Sequence, residues 1–195
     1  EQVIHLERHG DFLGKTIQII PHITDEIKHR IIRAGKTKKA EVVIVEIGGT
    51  VGDIEAEPFI ETARQILREY GPNNVAFVHV VKVDYIFPSD ESKTKPIQQS
   101  VALLRGRGIQ PDFLIVRCKR PFSKENHEKI SLFTNVPENH VIPAVDVKTI
   151  YKIPLNFKKM DFDDFLVKRL NLPKRRMNFN EWSRVLKKME SAKLN

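Results

Sequence analysis

The chain has 195 residues, 41% of them apolar and 30% charged, which suits a soluble globular protein with a sizeable core and excludes an intrinsically disordered one. No apolar run approaches the roughly 18 residues that a membrane span needs, and the opening Glu1-Gln2-Val3-Ile4-His5 lacks the plan of a signal peptide. A single cysteine cannot form an internal disulfide, so a reducing cytoplasm is the expected compartment. The net charge of +8 favours acidic partners: nucleotides, nucleic acid or a membrane surface.

In chain order, the first distinctive feature is Gly14-Lys15-Thr16, which ends like a P-loop. A true P-loop comes after a strand, opens a helix and spaces its glycines one residue further apart than Gly10 and Gly14 are. Here the adjoining run Thr16–Ile20 reads as a strand ended by Pro21, so the motif is read as a false P-loop. A helix is predicted over Thr24–Ala34. Val42–Glu46 is continuously apolar up to its last residue, the pattern of a central strand covered on both faces. Further strands are predicted at Val75–Val83, Asp112–Arg117 and Val141–Val145, with helices at Pro58–Tyr70, Pro96–Arg107 and Lys124–Thr134 between them. Pro58 and Pro96 suit a first helical turn, where a missing N–H costs nothing. After Val145 the pattern is helical only, through Phe162–Leu170 and Glu181–Lys193, separated by the basic break Pro173-Lys174-Arg175-Arg176. Alternating strands and helices predict an α/β fold with a mostly parallel sheet and helices on both faces.

In such a sheet, ligands lie beyond the carboxyl ends of the strands. Three places there stand out. Glu46-Ile47-Gly48-Gly49-Thr50-Val51-Gly52-Asp53-Ile54-Glu55 is a glycine-rich turn bearing three carboxylates; it reads as a close approach to a ligand with a hard-oxygen set for Mg²⁺, or as a turn with solvated acids. Asp90-Glu91-Ser92-Lys93-Thr94-Lys95-Pro96-Ile97-Gln98-Gln99-Ser100 leads into a helix and could cradle a polyphosphate, or be a solvated basic loop. Arg117, Lys129 and Asp146 stand near the ends of later elements, where isolated charges often make surface ion pairs.

The segments GKTIQIIPHITDEIK, VVIVEIGGTVGDIEAEPFIETARQ, KTKPIQQSVALLRGRGIQPDFLIVR and IYKIPLNF…FDDFLVKRLNL occur in the order and spacing of CTP synthase, and the chain resembles that family's amidoligase domain from about Arg8 to Trp182. The resemblance implies a P-loop NTPase-like, dethiobiotin synthetase-like architecture, with residues 1–172 a partial amidoligase domain and 173–195 a basic break and helical linker towards a glutaminase domain. It implies an ATP-dependent conversion of UTP to CTP, in which the uracil O4 is phosphorylated and ammonia displaces the phosphate. By this resemblance Glu46 is the Mg²⁺ ligand. Asp53, Ile54, Glu55, the run Lys93, Thr94, Lys95, Pro96, Ile97 and Gln98, together with Lys129 and Phe133, bind UTP or the inhibitor CTP. Arg117, Asp146 and Val147 lie on the ATP side. Gly10, Asp11, Phe12, Leu13 and Gly14 form the loop where ammonia arrives, and Lys15, Lys93 and Lys129 are the catalytic lysines. Dimers assembling to tetramers are implied as well.

The chain departs from the family pattern in three respects. The family's own P-loop, first strand and second Mg²⁺-binding acid are expected before the portion seen here, and the only cysteine, Cys118, lacks the glycines that flank a glutaminase nucleophile. Ile97 stands where the family usually has threonine. The expectation is therefore a fragment of a synthase, inactive alone. A non-catalytic nucleotide-binding or oligomerisation module is the alternative, and a nucleic-acid surface over Lys168–Arg176 is disfavoured by its lack of interleaved aromatics.

Overall fold

A computed structural model describes residues 1–86, 88, 91–175 and 177–192; Asp90, Arg176 and Lys193, which the sequence reading places in the lysine-bearing stretch, the basic break and the last helix, lie outside the described residues. The chain divides into two compact units, residues 1–71 with 106–109, and residues 72–105 with 110–195.

The second unit holds the sheet. Strands β1 (Val78–Lys82), β4 (Phe113–Cys118) and β5 (Val141–Val145) lie parallel in the order β1-β4-β5, with Val80 opposite Ile115 and Ile115 opposite Ile142. Parallel neighbours need crossovers, here helices α4 (Lys95–Gly106) and α5 (Lys124–Thr134). The alternation of β4 shows why the sheet is covered on both faces. Leu114, Val116 and Cys118 join Ile97 and Val101 of α4 and Ile130 of α5 in one buried cluster. On the other side Phe113 stacks on His140 at 4.3 Å and meets Phe162 edge-on at 5.4 Å, at the start of helix α7 (Phe162–Arg169). Helix α6 (Ile153–Lys159) adds Phe157 to this aromatic group. This is the expected α/β class.

Local chemistry sets the ends of α5. Ser123 accepts the Asn126 N–H at the N-cap, and Asn135 takes the left-handed conformation at the other end. Between β1 and α4 the chain makes a short antiparallel hairpin, β2 (Asp84–Ile86) with β3 (Glu91–Lys93). The final helix α8 (Asn180–Ser191) anchors by Trp182 Nε1, which donates to the Tyr151 carbonyl at 2.7 Å.

The first unit contains helices α1 (Gln2–His9), α2 (Thr24–Lys38) and α3 (Glu57–Tyr70). Lys28, early in α2, reaches Glu69, late in α3, at 2.6 Å, which ties the two helices together. Two sequence expectations fail here. Thr16–Ile20 forms no strand; Ile19–Ile23 is a kinked turn, with Ile20 in extended backbone, that leads into α2. Val42–Glu46 forms none either, and its central Ile44 is 91% exposed. The physical reason is the same for both. A strand exists by pairing its backbone groups, and neither segment finds a ladder partner among the described residues, so a strand-like apolar pattern alone produces no strand. Val43 instead lies against α2, where a Cβ on Gly35 would come within 2.7 Å of its Cγ2.

Candidate nucleotide site

The first unit contributes an acidic pocket. Glu46, Ile47, Gly48, Gly49, Asp53, Glu55, Ala56 and Phe59 line a cavity of about 320 Å³. The glycine loop folds around Asp53: its carboxylate accepts the Thr50 N–H at 2.8 Å, while its own N–H donates to the Thr50 carbonyl at 3.0 Å. Gly49 and Gly52 take φ of 86° and 111°, which side-chain-bearing residues rarely adopt, so the glycines are required by the turn itself. The chain then passes through a single 3-10 turn, Ile54–Ala56, into α3. Glu57 at the start of α3 is paired with Arg107, whose guanidinium holds its carboxyl below the usual range. Ile54 is 84% exposed.

Glu46, Asp53 and Glu55 border one open pocket, and carboxylate oxygens are hard donors of the kind Mg²⁺ takes alongside waters and substrate phosphates. Among the described residues no three His, Cys, Asp or Glu side chains are grouped so as to hold a metal ion together. Such a pocket would offer Mg²⁺ one or two acids, with waters and phosphate completing its shell.

Also in the first unit, Gly10 ends α1 in the left-handed region with φ of 90°, its N–H bonding back to Glu7 at 3.0 Å. Asp11 pairs with His9 at 3.0 Å, Phe12 meets His22 edge-on at 5.1 Å, and Leu13 and Gly14 continue the turn with positive φ. Lys15 donates its N–H to Phe12 at 3.0 Å. A helix precedes this loop where a P-loop has a strand.

The second unit contributes cations at the carboxyl edge of its sheet. The strand ends are stitched together: Val83 N–H donates to the Arg117 carbonyl and Asp146 N–H to that of Cys118, each at 2.9 Å. Arg117 and Asp146 are exposed there, with Val147 half-buried beside them. Burial, with a smaller contribution from Asp146, pushes the Cys118 thiol up to about 11, so it is protonated at neutral pH and no nucleophile.

Lys93 ends β3 and pairs with Glu91 at 2.7 Å; Lys95 and Pro96 open α4. Between the lysines, buried Thr94 accepts from the Gln98 amide at 3.1 Å. Ile97 is 1% exposed and turns its side chain into the core, so any part it plays in binding runs through its backbone. The neighbouring helix brings the rest. Lys95 Nζ lies 5.3 Å from the centre of the Phe133 ring, and Asn126 Nδ2 donates to Ser92 Oγ at 2.7 Å. Lys129, exposed on α5, falls three residues after Asn126 and four before Phe133, on the face that runs along β3 and the start of α4. Segments 91–98 and 126–133 therefore lie alongside each other, with Lys93, Lys95 and Lys129 on them. Such a group suits a polyphosphate.

Asn126, Tyr85 and Arg120 have no place among the sequence candidates. Tyr85 donates to the Arg120 carbonyl at 3.2 Å and lies 5.0 Å beneath its guanidinium. Only the proximity of a helix and a hairpin distant in sequence exposes their part.

Comparison with known proteins gives the family of the chain. The model of the CTP synthase N-terminus family matches residues 1–172. The chain is 50% identical over 186 residues to a CTP synthase of Caldanaerobacter subterraneus subsp. tengcongensis, covering 95% of this chain and 35% of that protein. It is 47% identical over 191 residues to a CTP synthase of Carboxydothermus hydrogenoformans and 48% identical over 192 residues to one of Methanopyrus kandleri, each covering 98% of this chain and 36% of the relative. The chain thus spans about a third of the length of the relatives it matches. With a family match over residues 1–172 and relatives 47–50% identical over nearly all of its length, the chain belongs to the CTP synthase N-terminus family.

Proposed function

We propose that this chain is the pyrimidine-binding part of a longer enzyme that makes CTP from UTP, ATP and ammonia. The observation that carries the reading is the side-by-side placement of segments 91–98 and 126–133, which sets Lys93, Lys95 and Lys129 on neighbouring elements. Phosphoryl transfer depends mainly on positioning and on neutralising charge, so lysines at a strand edge are the parts it uses. In this reading Lys93, Lys95 and Lys129 take the triphosphate of UTP, or of CTP as inhibitor, with Thr94, Pro96 and Gln98 shaping the turn beneath it. By the family resemblance Asp53, Ile54 and Glu55 are assigned to pyrimidine-nucleotide binding, as is Phe133. Arg117, Asp146 and Val147 serve ATP.

Glu46, with Asp53 and Glu55 around its pocket, would hold Mg²⁺, which supplies charge neutralisation at the transferred phosphate. The loop Gly10–Lys15 lies on the side where ammonia, delivered by a glutaminase domain, attacks the activated ring. We further assign a cytoplasmic location and dimers assembling to tetramers. Residues 1–172 form the amidoligase portion, and 173–195 lead onward to the glutaminase. Among the described residues no helix is long and apolar enough to cross a membrane.

The test compares two proteins in ATP, Mg²⁺, UTP and ammonium chloride, with CTP followed by chromatography. The longer polypeptide containing this chain is expected to turn over, and the 195-residue chain to make no CTP, since each missing preorganised phosphate donor costs on the order of 10²–10³ in rate. Turnover by the chain alone at the longer protein's rate would contradict its role as a part. UTP binding without turnover in either protein would favour a non-catalytic nucleotide module.

A further inference from the structure

We propose that the hydrogen bond from Asn126 to Ser92 is a positioning contact that sets Lys93 and Lys95 against α5, a role that rests on the pyrimidine-triphosphate reading above. The lysines need such a device. β2 and β3 are three residues each, and a two-stranded hairpin of that length does not hold its own place in water. Side-chain contacts from one rung attach it to the segment after β4, because Tyr85 and Ser92, which make them, are partners in the β2–β3 register. Tyr85 donates to the Arg120 carbonyl at 3.2 Å, and Ser92 accepts from Asn126 at 2.7 Å across 34 residues of sequence.

The Asn126 end is fixed in turn. Its N–H is held by the Ser123 hydroxyl at 3.2 Å in the first turn of α5, and the face it occupies continues to Phe133, under Lys95. Ser92 immediately precedes Lys93. The hydrogen bond therefore joins the helix carrying Lys129 to the strand carrying Lys93, at the point nearest the lysines. Losing it leaves the core cluster intact and lets the hairpin shift relative to α5.

Ser92→Ala, Asn126→Ala and the double variant are compared with Ser92→Thr, which keeps the accepting hydroxyl. Calorimetry with UTP is expected to show each alanine variant binding about three- to ten-fold more weakly, the worth of one neutral hydrogen bond, with the double variant no weaker than the worse single one. Ser92→Thr is expected to bind as the native chain does. Amide exchange at residues 91–95 should quicken in the alanine variants with little change in melting temperature. Native affinity in both single variants, or losses that add in the double one, would show the contact to be ordinary packing and overturn its positioning role alone. Absence of UTP binding by the native chain would overturn the pyrimidine reading and this role with it.

Discussion

Replacing Lys93 or Lys95 with alanine will weaken UTP and CTP binding by about 1.5–3 kcal/mol, roughly 10- to 150-fold in Kd, and leave the fold in place. Magnitudes separate the two outcomes. In the free chain Lys93 makes a surface ion pair with Glu91, worth about 0.2–1 kcal/mol, and Lys95 lies over the exposed Phe133 ring, worth about 0.5–1 kcal/mol. Neither is large enough to unfold a unit whose core is built from Phe113, Leu114, Ile97 and Ile130. A charge-assisted contact to phosphate is worth more. Calorimetry measures the loss and thermal melting the fold; unchanged affinity in both variants would remove the lysines from the site.

Glu46→Ala, introduced into the longer protein, is expected to abolish Mg²⁺-dependent phosphoryl transfer while the protein stays folded. The side chain is exposed, and taking one anion from a pocket that also holds Asp53 and Glu55 relieves like-charge repulsion. The metal would lose a protein ligand at the point where charge develops on the transferred phosphate. Single-turnover release of ADP in the presence of UTP reads the step directly, and a variant as active as the native enzyme would show Glu46 to be a surface acid only.

These expectations depend on parts of the molecule that were unequally legible from sequence. β5 and α5 could be read to the residue, because β5 is a bounded apolar run and Ser123 and Asn135 mark the ends of α5. The six helices predicted are all present, with ends shifted by up to four residues where no capping residue fixes them. Val42–Val45 shows the limit of such reading. Its apolar pattern reports what the segment would do beside a partner strand, and among the described residues none pairs with it. Two helices escaped, α1 and α6: the first is polar and without a buried residue, and the second is only seven residues long.

In the site, the lysines were legible as types at a strand end, but their arrangement was not. Whether a K-x-K is a binding element or a solvated loop depends on what lies opposite, and here that is a helix face more than 30 residues later. Ile97 carries the same lesson in reverse, since a position adjacent to the lysines faces the core because helical periodicity turns it away.

On the proposed reading, a pyrimidine triphosphate lies along segments 91–98 and 126–133. Amide NMR of the chain titrated with CTP and Mg²⁺ tests it most directly. Saturable shifts are expected at Lys93–Gln98 and Lys129–Phe133, with a second group at 46–56 around the acidic pocket. Saturable shifts confined to α1 or α8, or none at millimolar CTP, would contradict it.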